Sequence, residues 1–350
     1  MAAYHRISLG SGPVFGVHYI LLITPRITFP VGFAFDMPDP ALTAWNKENT
    51  RLKKPGVPPK HRPPKPARHS QYLTTQALAL VLLEAFTRDH PAIEVKMVLA
   101  DALYATNEFM EQAAQLFSTP VISQLRQNQN VRFRHRLITL EKYFSPHPGV
   151  PHTVTIRGDA EVTVMVNRAR LSVDAHHQKR FVMALQYEDE TNDRDIVASD
   201  LSWRTVDMVQ GDPLRWLVEV FLEDWKSYEG WGQLTKQPDE DGSSHGLILS
   251  LLLDHCLLVH PHQLARLENN LPACTVGSLL AKTRVESLLA FIRELLVADN
   301  PQEQLTRLSQ AIEEVFQLAP SKKHLHTRDL GRLEPTPSLK YRAEMASASV

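Results

Sequence analysis

The feature that most constrains this chain is a double change of hydrophobic period. Between residues 14 and 126, apolar strands alternate with apolar-periodic helices. From 131 to 209 the segments are short, alternating and rich in β-branched residues: HTVTIRG, AEVTVMVN, ARLSVDAH, KRFVMALQY and DIVASD. After 213 the period becomes helical and stays so to about 318. VFGVHYILLIT (14–24) and ITFPVGFAFD (27–36) read as strands joined by a Pro25–Arg26 turn. Residues 72–88 read as a helix opening at Thr74 or Thr75, 92–101 as a strand, 106–118 as a helix and 120–126 as a strand. Helices are expected at 215–226, 245–260, 276–297 and 301–317. This order predicts an α/β mixed sheet with helices, interrupted by a β-rich insertion and followed by a helical C-terminal region.

The expected divisions are a core over 1–130, an insertion over 131–209, a further core helix within 210–240, a helical region over 241–318 and a loose tail over 319–350. A hydrophobic fraction of 43% supports a real core, and a net charge of −1 means that any basic surface is local. Two cysteines, Cys256 and Cys274, exclude a disulfide framework and fit a reducing cytosol. The longest apolar run, GLILSLLLDHCLLV, is broken by Asp254 and His255, so no membrane span is expected. The expectation is a cytoplasmic protein with no membrane partner.

Candidate chemistry begins at RWLVEVFLEDWK, 215–226. Wound as an α-helix at about 100° per residue, Arg215, Lys226, Glu219 and Glu223 fall within about 80° of one another. Apolar residues fill nearly all the rest, so the helix reads as mostly buried with one thin polar strip. Buried charges need a partner or an ion. Two readings are open: an internal Arg215–Glu219 salt bridge at i,i+4, or a strip facing a cleft, where Glu219 holds a metal and the cations hold an anion. A second acid, Asp101, closes the apolar strand in VLADALY (98–104). Ligands of open α/β sheets bind at the carboxyl ends of strands. Asp101 is a metal-ligand candidate there, or it caps the following turn.

Taken together, VLADALYATNEFM and the Arg215–Glu219–Lys226 spacing resemble DDE-class insertion-sequence transposases. The similar subgroup carries a β insertion and a Tyr/Arg/Glu/Lys signature. Asp101 and Tyr104 match its Asp-strand motif, and Trp216 and the Gly230–Gln233 segment also fit. The resemblance covers roughly 10–300. It implies a ribonuclease-H-like core and DNA cutting and joining through two Mg2+ ions, with Mn2+ as a substitute. Asp101 and Glu219 become the second and third catalytic, metal-holding carboxylates. Arg215 and Lys226 grip transposon-end phosphates. Double-stranded DNA is the implied partner, a homodimer on DNA the implied assembly, and the nucleoid the implied place.

Two departures stand out. Asp212 occupies the position of the signature Tyr, and Pro213 beside it predicts a late helix start. The family's first carboxylate belongs on a strand before residues 14–24, yet no acid precedes Asp36. That strand is therefore expected to be missing, as in a truncated chain. Asp36 and Asp39 follow a later strand and are not assigned the role.

Further cations suit phosphate contact. The Pro-rich stretch 51–69, read as an extended loop, carries Lys53 and Lys54; Arg126, Arg132 and Arg134 cluster after a strand. DHCLLVHPH (254–262) lacks zinc spacing and reads as a helix end. Trp203, Trp225 and Trp231 read as packing residues, with base stacking as the alternative. Three functions follow for comparison: an active transposase, a catalytically inactive element-derived DNA-binding remnant, and a non-enzymatic interaction protein with a buried Arg215–Glu219 pair.

Overall fold

The computed structural model describes residues 5–12, 17–146, 149–155, 161–187, 194–198, 201, 203–231 and 240–315. The tail 319–350 and Gly232–Gln233 lie outside them. Strands β1 (His5–Gly12), β2 (Val17–Ile23) and β3 (Thr28–Phe35) are followed by α1 (Pro40–Lys53) and α2 (Thr75–Asp89). Then come β4 (Val95–Ala100), α3 (Asn107–Phe117), β5 (Val121–Gln124), β6 (Asn130–Phe133), β7 (Arg136–Thr139) and α4 (Leu140–Phe144). The strands β8 (Val150–Thr155), β9 (Glu161–Val173), β10 (Gln178–Tyr187) and β11 (Arg194–Ala198) complete the sheet. Helices α5 (Thr205–Gly211), α6 (Leu217–Ser227), α7 (Glu240–Leu258), α8 (Pro261–Glu268), α9 (Val276–Val297) and α10 (Pro301–Val315) close the described chain.

All eleven described strands form one sheet, ordered β3-β2-β1-β4-β5-β11-β10-β9-β6-β7, with β8 paired to β9. β1, β2 and β3 are mutually antiparallel, whereas β4 lies parallel to β1 and β5 parallel to β4. This is the ribonuclease-H-like arrangement. The leading strand expected to be missing is therefore present, and it is central. Its sequence, HRISLGSG, hides it: two glycines and two serines leave little apolar alternation to read. The insertion does not build a separate sheet. β11 pairs with the edge of β5, so the core edge is covered rather than left open.

Side-chain alternation sorts the core onto two faces. Ile20, Leu22, Val98 and Ala100 join Leu82, Leu83 and Phe86 of α2 and Phe109 and Met110 of α3 on one face. On the other, Tyr19 and Leu21 meet α6, and Met97, Leu99 and Ile122 meet Met208 and Val209 of α5. The helix starts follow local chemistry. Thr74 accepts from the Ala77 amide at 3.1 Å and Thr106 from the Phe109 amide at 3.4 Å, each capping its helix.

Helix α1 falls partly within the stretch read as an extended loop. Its signal is Asp39 followed by Pro40: the Asp39 carboxylate accepts from the Ala41 and Leu42 amides at 2.8 and 3.2 Å, and Pro opens the first turn. The other Asp39 oxygen accepts from the His69 amide at 2.9 Å, and the Trp45 indole donates to the Pro63 carbonyl at 2.8 Å, so the Pro-rich loop is strapped back along α1. The chain divides into two compact units, Met1–Thr283 and Arg284–Val350. No single helix among the described residues is long and apolar enough to cross a membrane.

Candidate active site

Helix α6 differs from the uniform helix drawn from the sequence. Asp212–Trp216 form a 3-10 turn, and the α-helix begins only at Leu217. Its buried residues are Val218, Phe221, Leu222 and Trp225, an ordinary amphipathic stripe at i, i+3, i+4 and i+7. Trp216 is 61% exposed and Val220 43%, so the helix is not mostly buried. Pro213 in the 3-10 turn accounts for the late start.

This corrects the salt-bridge reading. The tighter winding of the 3-10 turn takes Arg215 off the α-helical i,i+4 row, Glu219 is exposed, and no ion pair joins the two. Arg215 is half-buried, with its Nε enclosed and lacking an acceptor among the described residues. Asp212 is only 3% exposed, so this acid is turned away from any ligand surface rather than set to repel a phosphate. Lys226 lies over the Trp231 ring, 5.4 Å from its centroid, and Trp231 stacks on Trp225 at 4.4 Å. Its ammonium is held by an aromatic face. Trp225 and Trp231 are buried packing residues; Trp203, half-buried, packs against the cluster of Met208 and Val209 and also lines an open cavity of about 490 Å³ with His152, Arg168 and Arg204.

Asp101 emerges half-buried at the carboxyl end of β4. Its Oδ1 accepts from the Leu103 amide at 2.7 Å, and its carbonyl accepts from the Tyr104 amide at 3.1 Å and the Ser123 hydroxyl at 2.6 Å. One carboxylate oxygen thus caps the turn. Two phenols stand nearby. Tyr104 and Tyr19 are 0% and 1% exposed, and neither hydroxyl has a hydrogen-bond partner among the described residues. Tyr19 reaches from β2 beneath α6, its ring 5.5 Å from Phe221 and 6.3 Å from Trp225. Burial raises the Tyr19 phenol well above its usual range, and the charges of Glu219, then Tyr104 and Asp101, add to this. Burial and Asp101 do the same to Tyr104. Asp101 and Glu219, 118 positions apart, both act on the Tyr19 hydroxyl. Tyr19 escaped notice in the sequence; the only cue is one polar atom in the otherwise apolar YILLI of β2.

The strand to which the resemblance assigns a further acid carries none. β1 runs between β2 and β4, with Gly10 opposite Tyr19 and Ser8 beside Leu99. Continuing that register sets Gly10 level with Asp101. HRISLGSG contains no Asp or Glu. Asp36 reaches the same end of the sheet from β3, but three strands from β4, roughly 14 Å away. Asp39 is committed to its cap. Among the described residues no group of three or more His, Cys, Asp or Glu is placed to hold a metal ion. The two-metal centre implied by the resemblance does not fit these residues.

The remaining cations are dispersed. Lys53 and Lys54 are exposed at the end of α1. Arg126 and Arg134 are exposed, whereas Arg132 is paired with Asp174 at 2.9 Å.

No protein-family model matches the chain, and no curated protein matches it. Among solved structures it is similar to the piggyBac transposase in a synaptic complex with hairpin DNA, with a TM-score of 0.36 and 8% identity. The match covers 91% of this chain and 59% of that one, so the chain spans about three-fifths of that transposase's length. A likeness this loose assigns nothing; the strand order above carries the fold.

Proposed function

We propose that this chain is a transposase-like protein that binds double-stranded DNA along the carboxyl edge of its sheet without cutting it efficiently. The observation that carries the reading is β1: a central strand without an acid, beside the strand that delivers Asp101. Two carboxylates, one of them half committed to a turn, fall one short of the three that the resemblance implies for holding a pair of Mg2+ ions. Arg215 and Lys226 border the Glu219 edge and contact phosphates there. Arg126, Arg134, Lys53 and Lys54 extend the contact, and a homodimer on DNA in the nucleoid belongs to the same reading.

A second reading, an active insertion-sequence transposase using Mg2+ or Mn2+, is favoured by the placement of Asp101 directly after β4 and of Glu219 on the helix that packs over Tyr19.

One experiment separates the two. Duplex DNA is titrated with the full chain at several salt concentrations, and the same DNA is incubated with Mg2+ or Mn2+ and examined for nicks. The expected result is binding whose log K falls with log salt at a slope of about −3 or steeper, with no nicking. Efficient metal-dependent nicking overturns the first reading in favour of the second. Absence of binding overturns both.

A further inference from the structure

The hairpin of β6 and β7 is built around an unusual turn. Phe133 pairs with Arg136, so the loop is the two residues Arg134 and His135. Both have positive φ, 47° and 64°. A two-residue loop left-handed at both positions is the type I′ turn, which strongly prefers Asn-Gly. Side chains with a Cβ adopt this conformation at a cost, and here the two residues that bear it are an arginine and a histidine.

The base of the hairpin is rigid. Val131 and Leu140 are fully buried, β6 joins β9 at Val131–Val173, and the Leu140 amide donates to the Gln129 carbonyl at 3.0 Å. Phe133 meets Tyr143 edge-on at 5.1 Å. Beyond that base, every residue from Arg132 to Leu137 is exposed. The Arg134 guanidinium lies over the Phe133 ring at 5.1 Å, which holds it outward. Arg132 is braced by Asp174, and Arg134 and Arg136 form no ion pair among the described residues. NVRFRHRLITL, 130–140, contains no Asp or Glu. β7 ends the sheet, six strands from β4, about 29 Å by strand spacing.

We propose that Arg134, His135 and Arg136 form a preformed basic finger that enters the major groove of B-form duplex DNA, about one helical turn from the Asp101 edge. This rests on the DNA-binding reading above. A two-stranded ribbon fits the B-form major groove. The A-form groove of duplex RNA is too narrow for it. The cations contact phosphates flanking the groove, and exposed Phe133 and Leu137 offer apolar contact to base edges.

The turn itself supplies the test. Replacing Arg134→Asn together with His135→Gly installs the residues the turn prefers, so the hairpin keeps or gains stability while losing its cations. In the full chain, the expected result is an unchanged or higher thermal midpoint, weaker binding to a duplex of about three helical turns, and a salt slope shallower by about 1 to 2. Arg136→Gln moves in the same direction by a smaller amount. Unchanged affinity and slope in the folded double variant overturn the finger while leaving DNA binding standing. Failure of the unaltered chain to bind duplex DNA overturns both. Equal loss of affinity for duplex RNA of the same sequence overturns the groove assignment.

Discussion

The carboxyl groups of Glu229 and Asp254 meet where the end of α6 packs against α7, at 1% and 5% exposure. Neither Glu229 carboxyl oxygen has a hydrogen-bond partner among the described residues, and two buried acids this close disfavour a charge on both. Burial first, and the charge of Asp254 second, push Glu229 up to about 9. Burial likewise raises Asp254, against the opposing pull of His255, whose ring lies 3.8 Å away on the same helix. Asp224, itself raised by burial, adds a like charge. These folded values lie above the unfolded ones, so the native state holds protons that the unfolded chain releases. The stabilisation is complete in acid below the unfolded values and is lost as pH rises towards the folded value of Glu229. The unfolding free energy should fall by up to ~1.4 kcal/mol per pH unit for each proton held. Urea melts at about pH 5, 6.5 and 8 check this. Glu229→Gln keeps a donor and should flatten the profile; equal slopes in both proteins would show that the pair is not the cause.

A second buried charge ties insertion to core. Arg180 on β10 is 1% exposed and pairs with Glu111 of α3 at 2.8 Å, while donating to Asn107 Oδ1 at 2.9 Å. His176 is pushed down by burial and stays neutral. Its Nε2 donates to the Ala105 carbonyl at 3.0 Å, leaving Nδ1 to accept from Arg180 Nε at 3.3 Å. Removing one partner of such a pair costs more than replacing the charge with an apolar side chain of similar volume. Glu111→Ala should therefore destabilise the chain by about 3 kcal/mol, and Arg180→Met by less. Denaturant midpoints measure both, and the reverse order would mean that the cation is satisfied without Glu111.

What could be read from the sequence was whatever local chemistry decides. Thr74 and Thr106 announce their helices by capping, the alternating block from 131 on is a sheet, and Asp101 stands at a strand end. The Arg215–Glu219 register failed because a 3-10 turn and an α-helix share composition but not winding. β1 failed because its place depends on hydrogen bonds to β2 and β4, which supply the stability that Ser and Gly do not. Tyr19 and the Glu229–Asp254 pair are tertiary facts: residues far apart in sequence meet only once α6 lies across β2 and α7. The fusion of insertion and core through β5 and β11 follows from an edge that needs a partner, which composition alone does not locate.

Gly10 carries the last prediction. It lies opposite Tyr19 on β1, and the parallel register with β4 sets it level with Asp101. An acid there would join Asp101 and Glu219 on the side of the sheet that Tyr19 faces. Divalent-ion affinity grows with the number of carboxylates a site offers. Gly10→Asp should therefore raise Mn2+ affinity by about tenfold or more, read by calorimetric titration of the metal alone. Gly10→Asn, of the same size but without the charge, should not. A gain in both variants would point to a changed strand rather than a restored ligand. No gain in a folded Gly10→Asp protein would mean that the acid-free strand is not what keeps the site from holding an ion, and the case against catalysis would lose its support.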